Sequence, residues 1–149
     1  MTPPPSDVVR LEFCSAFDML DFVQVVCDFL CRRVGFDDDS MHWVSVAVRE
    51  CVINAIKHGN QNDQHKMVHV EFTTSTDPEA GALTVAVRDE GEGFDPDVVA
   101  DPLTPENMLK SSGRGIFLIR SFMDELELRR APEGGMEVRM VKKLAKAAL

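Results

Sequence analysis

The period of the apolar positions changes along the chain, and each change marks an element. Residues 8–14, VVRLEFC, alternate apolar and polar and predict a strand. Ser15-Ala16-Phe17-Asp18 fits a capping box. After it, Met19, Phe22, Val23, Val26, Cys27, Leu30 and Val34 recur at helical spacing, which predicts an amphipathic helix ending near Gly35. Asp37-Asp38-Asp39 suit the positive end of a second helix, predicted over 40–58 with Gly59 as its stop. Strands near 67–75 and 83–89 flank Asp77-Pro78-Glu79-Ala80-Gly81 and read as a hairpin. Residues 90–114 lack periodicity and are rich in Gly, Pro, Asp and Ser, as a functional lid or a disordered stretch would be. A helix near 115–123 follows. A second hairpin, 126–130 and 136–141, closes around Pro132-Glu133-Gly134-Gly135.

Consecutive strands joined by short turns imply a mixed, mostly antiparallel sheet. The expected fold is therefore an α+β two-layer sandwich with its helices on one face. One domain is expected over 8–142, after a disordered lead at 1–7 and before a short basic tail at 143–149.

Charge narrows the possible partners. The 149 residues carry 16 Lys and Arg against 25 Asp and Glu, a formal net charge of −9. A nucleic-acid backbone binder needs the opposite field, so no nucleic-acid partner is expected. No apolar run is long enough to span a bilayer, and the N-terminus is not a basic-then-apolar signal. A cytoplasmic protein without a membrane partner is the expectation. Cys14, Cys27, Cys31 and Cys51 read as reduced, small core residues. The histidines make no zinc-type pattern with them.

The second helix carries polar chemistry in an apolar setting. In VAVRECVINAIKHGN, α-helical spacing brings Glu50, Asn54 and Lys57 onto one face. Polar groups on a largely buried helix must meet water, partners or a ligand. As a metal-phosphate site, the Asn54 carbonyl would bind Mg²⁺, which takes one or two protein oxygens, and Lys57 would offset phosphate charge. Glu50 would take a proton from an attacking hydroxyl or water. A solvated stripe with a Glu50–Lys57 contact is the plain alternative, and the helix alone does not separate the two.

Two glycine motifs bear on that choice. Asp89-Glu90-Gly91-Glu92-Gly93-Phe94 follows a predicted strand, and its glycines let backbone approach a ligand closely. Asp89 at the strand end can accept from an exocyclic amine such as that of adenine. An EF-hand loop needs more acids and a Glu at its twelfth position. Ser111-Ser112-Gly113-Arg114-Gly115-Ile116-Phe117 opens a helix and offers free amides to an anion, with Arg114 adding a phosphate contact. It is not a Walker loop. A plain glycine hinge is the alternative.

The order ExxxN-xx-KHG, DxGxGF, then GxG resembles the histidine-kinase-like (GHKL) ATPase superfamily, with its Bergerat fold. Within it the chain is similar to the anti-sigma-factor serine/threonine kinases of bacterial stress and sporulation switches, most strongly over 44–127 and especially over 101–126. The resemblance implies Glu50 as catalytic carboxylate and Asn54 as Mg²⁺ ligand. It implies Lys57 and His58 at phosphate or ribose, and Asp89 at adenine with Gly91, Gly93 and Phe94 around it. Gly113, Arg114, Gly115 and Ile116 then form the phosphate-binding turn. Relatives often carry Gly-Thr near the last strand, where the Thr supports the adenine aspartate; here Met136 follows Gly135, leaving a water or Thr84 as substitutes.

The same resemblance implies ATP and Mg²⁺ as cofactors. It implies an anti-sigma-factor antagonist as protein substrate, a sigma factor as second partner, and a homodimer built on the first strand and helix. A non-catalytic ATP-binding module that sequesters a partner, and a simple ATPase, are the alternatives. Residues 95–114 are expected to be mobile without nucleotide and ordered by its γ-phosphate. Leu103, Met108 and Leu109 would then contact a partner or pack on the domain edge.

Overall fold

A computed structural model describes residues 6–77, 79–92 and 120–145. Strand β1 (Val8–Cys14) leads through a 3₁₀ turn (Phe17–Met19) into helix α1 (Leu20–Val34). Helix α2 (Asp38–Asn54) continues as a π-helical turn (Ala55–Gly59). Strands β2 (Met67–Ser75), β3 (Ala82–Arg88), β4 (Glu125–Arg130) and β5 (Met136–Lys143) complete a sheet of order β1-β2-β3-β5-β4. Every pairing is antiparallel.

Strand alternation explains the layers. Val68, Val70 and Phe72 of β2 and Leu83, Val85 and Val87 of β3 point to one face and are buried. The stripes Leu20, Val23, Cys27, Leu30 and Cys31 of α1 and Val44, Val48, Cys51 and Val52 of α2 join them in one core. Each of the Val, Leu and Phe side chains among them contributes roughly 1.5–3 kcal/mol by leaving water. The opposite face carries polar and charged groups on every strand: Glu12, His69, Arg88, Glu137 and Arg129 stand side by side across the sheet. Ion pairs such as Arg10–Glu71 at 2.7 Å and Arg129–Glu137 at 2.8 Å tile it as a solvated surface.

Helix signals fare unevenly. Gly35, at φ 104°, closes α1 in the left-handed region that glycine tolerates. Asp37 caps α2 by accepting from the Ser40 N–H at 2.7 Å. The expected capping box at Ser15–Asp18 does not form: the 3₁₀ turn and α1 start without a side-chain cap. Ser15 instead donates its hydroxyl to the Lys66 carbonyl at 2.7 Å, because β1 ends there beside the loop into β2. Cys14 is exposed, since strand alternation turns it away from the core, while Cys27, Cys31 and Cys51 are buried.

The sheet also reaches past its expected limits. The Asp7 N–H donates to Thr74 Oγ1 at 3.0 Å, β5 runs to Lys143, and the Leu144 N–H donates to the Gly81 carbonyl at 2.8 Å. Of the helix expected near 115–123, the described residues Arg120–Phe122 are helical. Phe122 stacks on Trp43 of α2 with ring centres 3.9 Å apart and planes 8° apart.

Candidate functional site

The end of α2 departs from simple α-helical counting. Glu50 and Asn54 lie one turn apart on α2, both half-buried, and neither side chain bonds another described residue. Lys57 and His58 are exposed and belong to the π-turn, closed by the Asn60 N–H on the Ala55 carbonyl at 2.8 Å. A π-turn rotates less per residue than an α-turn, so Lys57 swings off the line through Glu50 and Asn54. Such turns recur at functional sites. Gln61 and Asn62 follow at φ 52° and 59°, a left-handed reversal that ends the rod and is tolerated better by Asn than by Gln.

Asp89 lies just past β3 and meets that rod. Its main chain stays on β5 through its N–H and the Met136 carbonyl at 3.0 Å. The residue is 6% exposed. Oδ1 accepts from the Gly91 N–H at 2.9 Å and from the Met136 N–H at 3.1 Å. Oδ2 has no donor among the described residues. A buried acceptor without a partner is uncommon and costs stability.

Glycines make this closeness possible. A Cβ on Gly59 would strike the Asp89 carboxylate, one on Gly91 the Gly59 carbonyl, and one on Gly135 the Asp89 main chain. Gly135 also sits at φ 82°. The helix end, the strand end and the β4–β5 turn thus converge on Asp89. Thr84 is not involved: it points to the charged face, beside Thr73 and Val141, while Asp89 faces the helices. The expected hydroxyl support is replaced by the Met136 backbone.

The structure therefore joins Gly59, Asp89 and Gly91 directly and sets Glu50 and Asn54 along the rod leading to them. Gly93, Phe94, Gly113, Arg114, Gly115, Ile116, the stretch 95–114 and Leu103, Met108 and Leu109 lie outside the described residues. Two contributors were not singled out from sequence: Asn60 is completely buried, and Glu90 binds two other segments. Met136, noted from sequence for its place after Gly135, acts through its main chain. The only hint was that Asn60 directly follows the helix-ending glycine.

A family model described as the histidine kinase-like ATPase domain matches residues 19–142. The chain belongs to the histidine kinase-like ATPase family. It groups there with anti-sigma kinases: it is 33% identical over 141 residues to an anti-sigma F factor of Oceanobacillus iheyensis, covering 93% of this chain and 94% of that one. It is 26% identical to the serine-protein kinase RsbW of Staphylococcus epidermidis, covering 94% and 89%. A crystal structure of the RsbU and RsbW domains of Rv1364c from Mycobacterium tuberculosis superposes with TM-score 0.64 at 15% identity. It covers 97% of this chain and 35% of that larger one, and supports the fold.

The site fits the nucleotide that the family implies. A buried carboxylate with one oxygen lacking a donor among the described residues suits an exocyclic amine, and three glycines leave the backbone bare around it.

Proposed function

We propose that the chain is an ATP-dependent serine/threonine protein kinase and anti-sigma factor. It phosphorylates a Ser or Thr of an anti-sigma-factor antagonist and regulates transcription by switching partners between that antagonist and a sigma factor. The observation that carries the reading is Asp89, a buried residue whose Oδ2 has no donor among the described residues where the rod of α2 ends. The relatives named anti-sigma F factor and serine-protein kinase RsbW supply the reaction class.

Bound Mg-ATP supplies the transferable γ-phosphoryl group and the metal charge that offsets its oxygens. The residues of the chain bind and orient around it. Asp89 accepts the adenine amine, with Gly91, Gly93 and Phe94 at the base. The Asn54 carbonyl oxygen is the protein ligand offered to Mg²⁺. Lys57 and His58 reach phosphate or ribose, and Gly113, Arg114, Gly115 and Ile116 cradle the phosphates. Glu50 orients the incoming hydroxyl and takes its proton. Its half-buried carboxylate has no partner among the described residues to compete for that role.

Three properties belong to the same reading. Residues 8–142 act as one domain. Among the described residues no helix is long and apolar enough to cross a membrane, and the free cysteines suit the reducing cytoplasm, where we place the protein. It pairs as a homodimer: among the described residues β1 is a sheet edge with one side unpaired, and α1 exposes Phe22, Val25 and Phe29.

The test is transfer from radiolabelled ATP to a candidate antagonist. Transfer that disappears in Glu50→Ala is expected. Phosphate release without an acceptor would instead favour a simple ATPase. A stable partner complex with non-hydrolysable ATP and no transfer would favour a sequestering module.

A further inference from the structure

The register of β2 and β3 exposes a missing rung. It pairs Val70 with Val87 and His69 with Arg88, and ends there. Two more pairs in the same register would bring Val68 opposite Asp89 and then Met67 opposite Glu90. The main chain instead leaves β2 while staying on β5 through Asp89 and Met136.

Side chains fill the vacant rung. Glu90 Oε1 accepts the Met67 N–H at 2.8 Å, and Asn60 Nδ2 donates to the Met67 carbonyl at 3.0 Å. Asn60 Oδ1 accepts the Glu90 N–H at 2.7 Å, and Asn60 Nδ2 also donates to Ser15 Oγ at 2.9 Å. Glu90 Oε2 lies 2.7 Å from His69 Nε2. A completely buried carboxamide is thus wedged between two strands, and the Glu90 carboxylate straps the diverging strand back to β2.

The wedge has a consequence for the nucleotide site. Asp89 and Glu90 are neighbours whose side chains leave opposite faces of the sheet. Anchoring Glu90 on the charged face sets the direction of Asp89 on the helix face. Glu12 also approaches His69, but at Nδ1 and 3.9 Å, on the far side of the ring from Glu90. Carboxylates at opposite ring nitrogens fit a hydrogen-bonded strap better than a shared metal ion.

We propose that Glu90 is a positioning residue of the nucleotide site, acting through the Asp89–Gly91 turn without touching the nucleotide. This rests on the assignment of Asp89 to a nucleotide. The strap needs an acceptor of the right reach and not a charge. Glu90→Gln keeps that acceptor, Glu90→Asp keeps the charge but falls one methylene short of Met67, and Glu90→Ala removes both.

The experiment measures Mg-ATP affinity by calorimetry, phosphotransfer at saturating Mg-ATP, and the melting temperature without nucleotide, for the wild type and all three variants. Glu90→Ala and Glu90→Asp should weaken binding about tenfold, while Glu90→Gln stays within about twofold of wild type. Transfer at saturation should stay within about twofold in every variant. Should Glu90→Ala not fold, Glu90→Asp against Glu90→Gln decides. Wild-type affinity in Glu90→Asp, affinity in Glu90→Gln as poor as in Glu90→Asp, or lowered melting temperatures with unaltered binding would each overturn the assignment. Absence of binding by the wild type would instead refute the nucleotide reading, and this inference with it.

Discussion

The main-chain N–H of Met136 donates to Asp89 Oδ1 at 3.1 Å, so a backbone group holds the carboxylate where the resemblance implied support from a threonine hydroxyl. Any residue but proline supplies that donor. Met136→Ala should therefore keep Mg-ATP affinity within about threefold, yet lose ~2 kcal/mol of stability because the buried thioether is gone. Asp89→Ala should abolish binding. Calorimetry beside urea unfolding checks both, and a collapse of affinity in Met136→Ala would show that the side chain matters.

Gly135 faces a double obstacle to substitution. Its φ of 82° costs an L-residue roughly 1–2 kcal/mol, and a Cβ there would meet the Asp89 backbone. Gly135→Ala should lower both the unfolding midpoint and nucleotide affinity. Gly134, also at positive φ but with open space around its Cβ position, should lose stability alone. Equal affinities for the two variants would contradict this account.

Glu50 is assigned to the proton and not to binding. Glu50→Gln should slow phosphotransfer about 10²–10⁴-fold and leave the Mg-ATP dissociation constant within about twofold. Quench-flow transfer against equilibrium binding separates the two effects. Undiminished transfer in Glu50→Gln would remove the residue from the mechanism.

Glu90 links stability to acid. The Met67 N–H first, and then His69, hold its carboxyl below the usual carboxylate range. A lowered folded pKa means that the unfolded chain takes up the proton first. This contribution is present above the unfolded value of about 4.3 and is lost as pH falls through it towards the folded pKa. The melting temperature of the wild type should fall relative to Glu90→Gln over that acid window. A constant difference between them would deny the linkage.

The thiols should separate by burial. Cys14 is exposed, whereas burial pushes the Cys51 thiol up to about 12, and the neighbouring Cys31 together with burial raises Cys27. A thiol-specific reagent at mildly alkaline pH should modify Cys14 first in the native protein and the other three only after denaturation. Rapid native reaction of Cys51 would argue that the core opens readily.

Much of the fold was legible because its signals are local. Alternation in residues 67–75 and 83–88 is the burial pattern seen, since a strand with one wet face must alternate. Gly35 and Asp37 marked helix ends because they satisfy terminal groups of their own helix. Ser15 misled for the complementary reason: its hydroxyl bonds Lys66 and Asn60, far along the chain, and no local rule anticipates that. Within the site, Asp89 and Gly91 stood out as a motif after a strand. Asn60 and Glu90 did not, because their function is to replace a rung whose loss appears only once β2 and β3 are in register.

The sequence by itself determined the element types, the antiparallel α+β class and the residue kinds from which a nucleotide site is made, because periodicity, turn chemistry and side-chain chemistry are properties of short stretches. Only the tertiary structure decided that a π-turn carries Lys57 off the Glu50–Asn54 line, that Met136 supports Asp89 through its backbone, and that Asn60 wedges between β2 and the strand leaving it while Glu90 straps that strand back. Those outcomes depend on hydrogen bonds between segments distant in the chain, and main-chain groups carry no residue identity from which such bonds can be read.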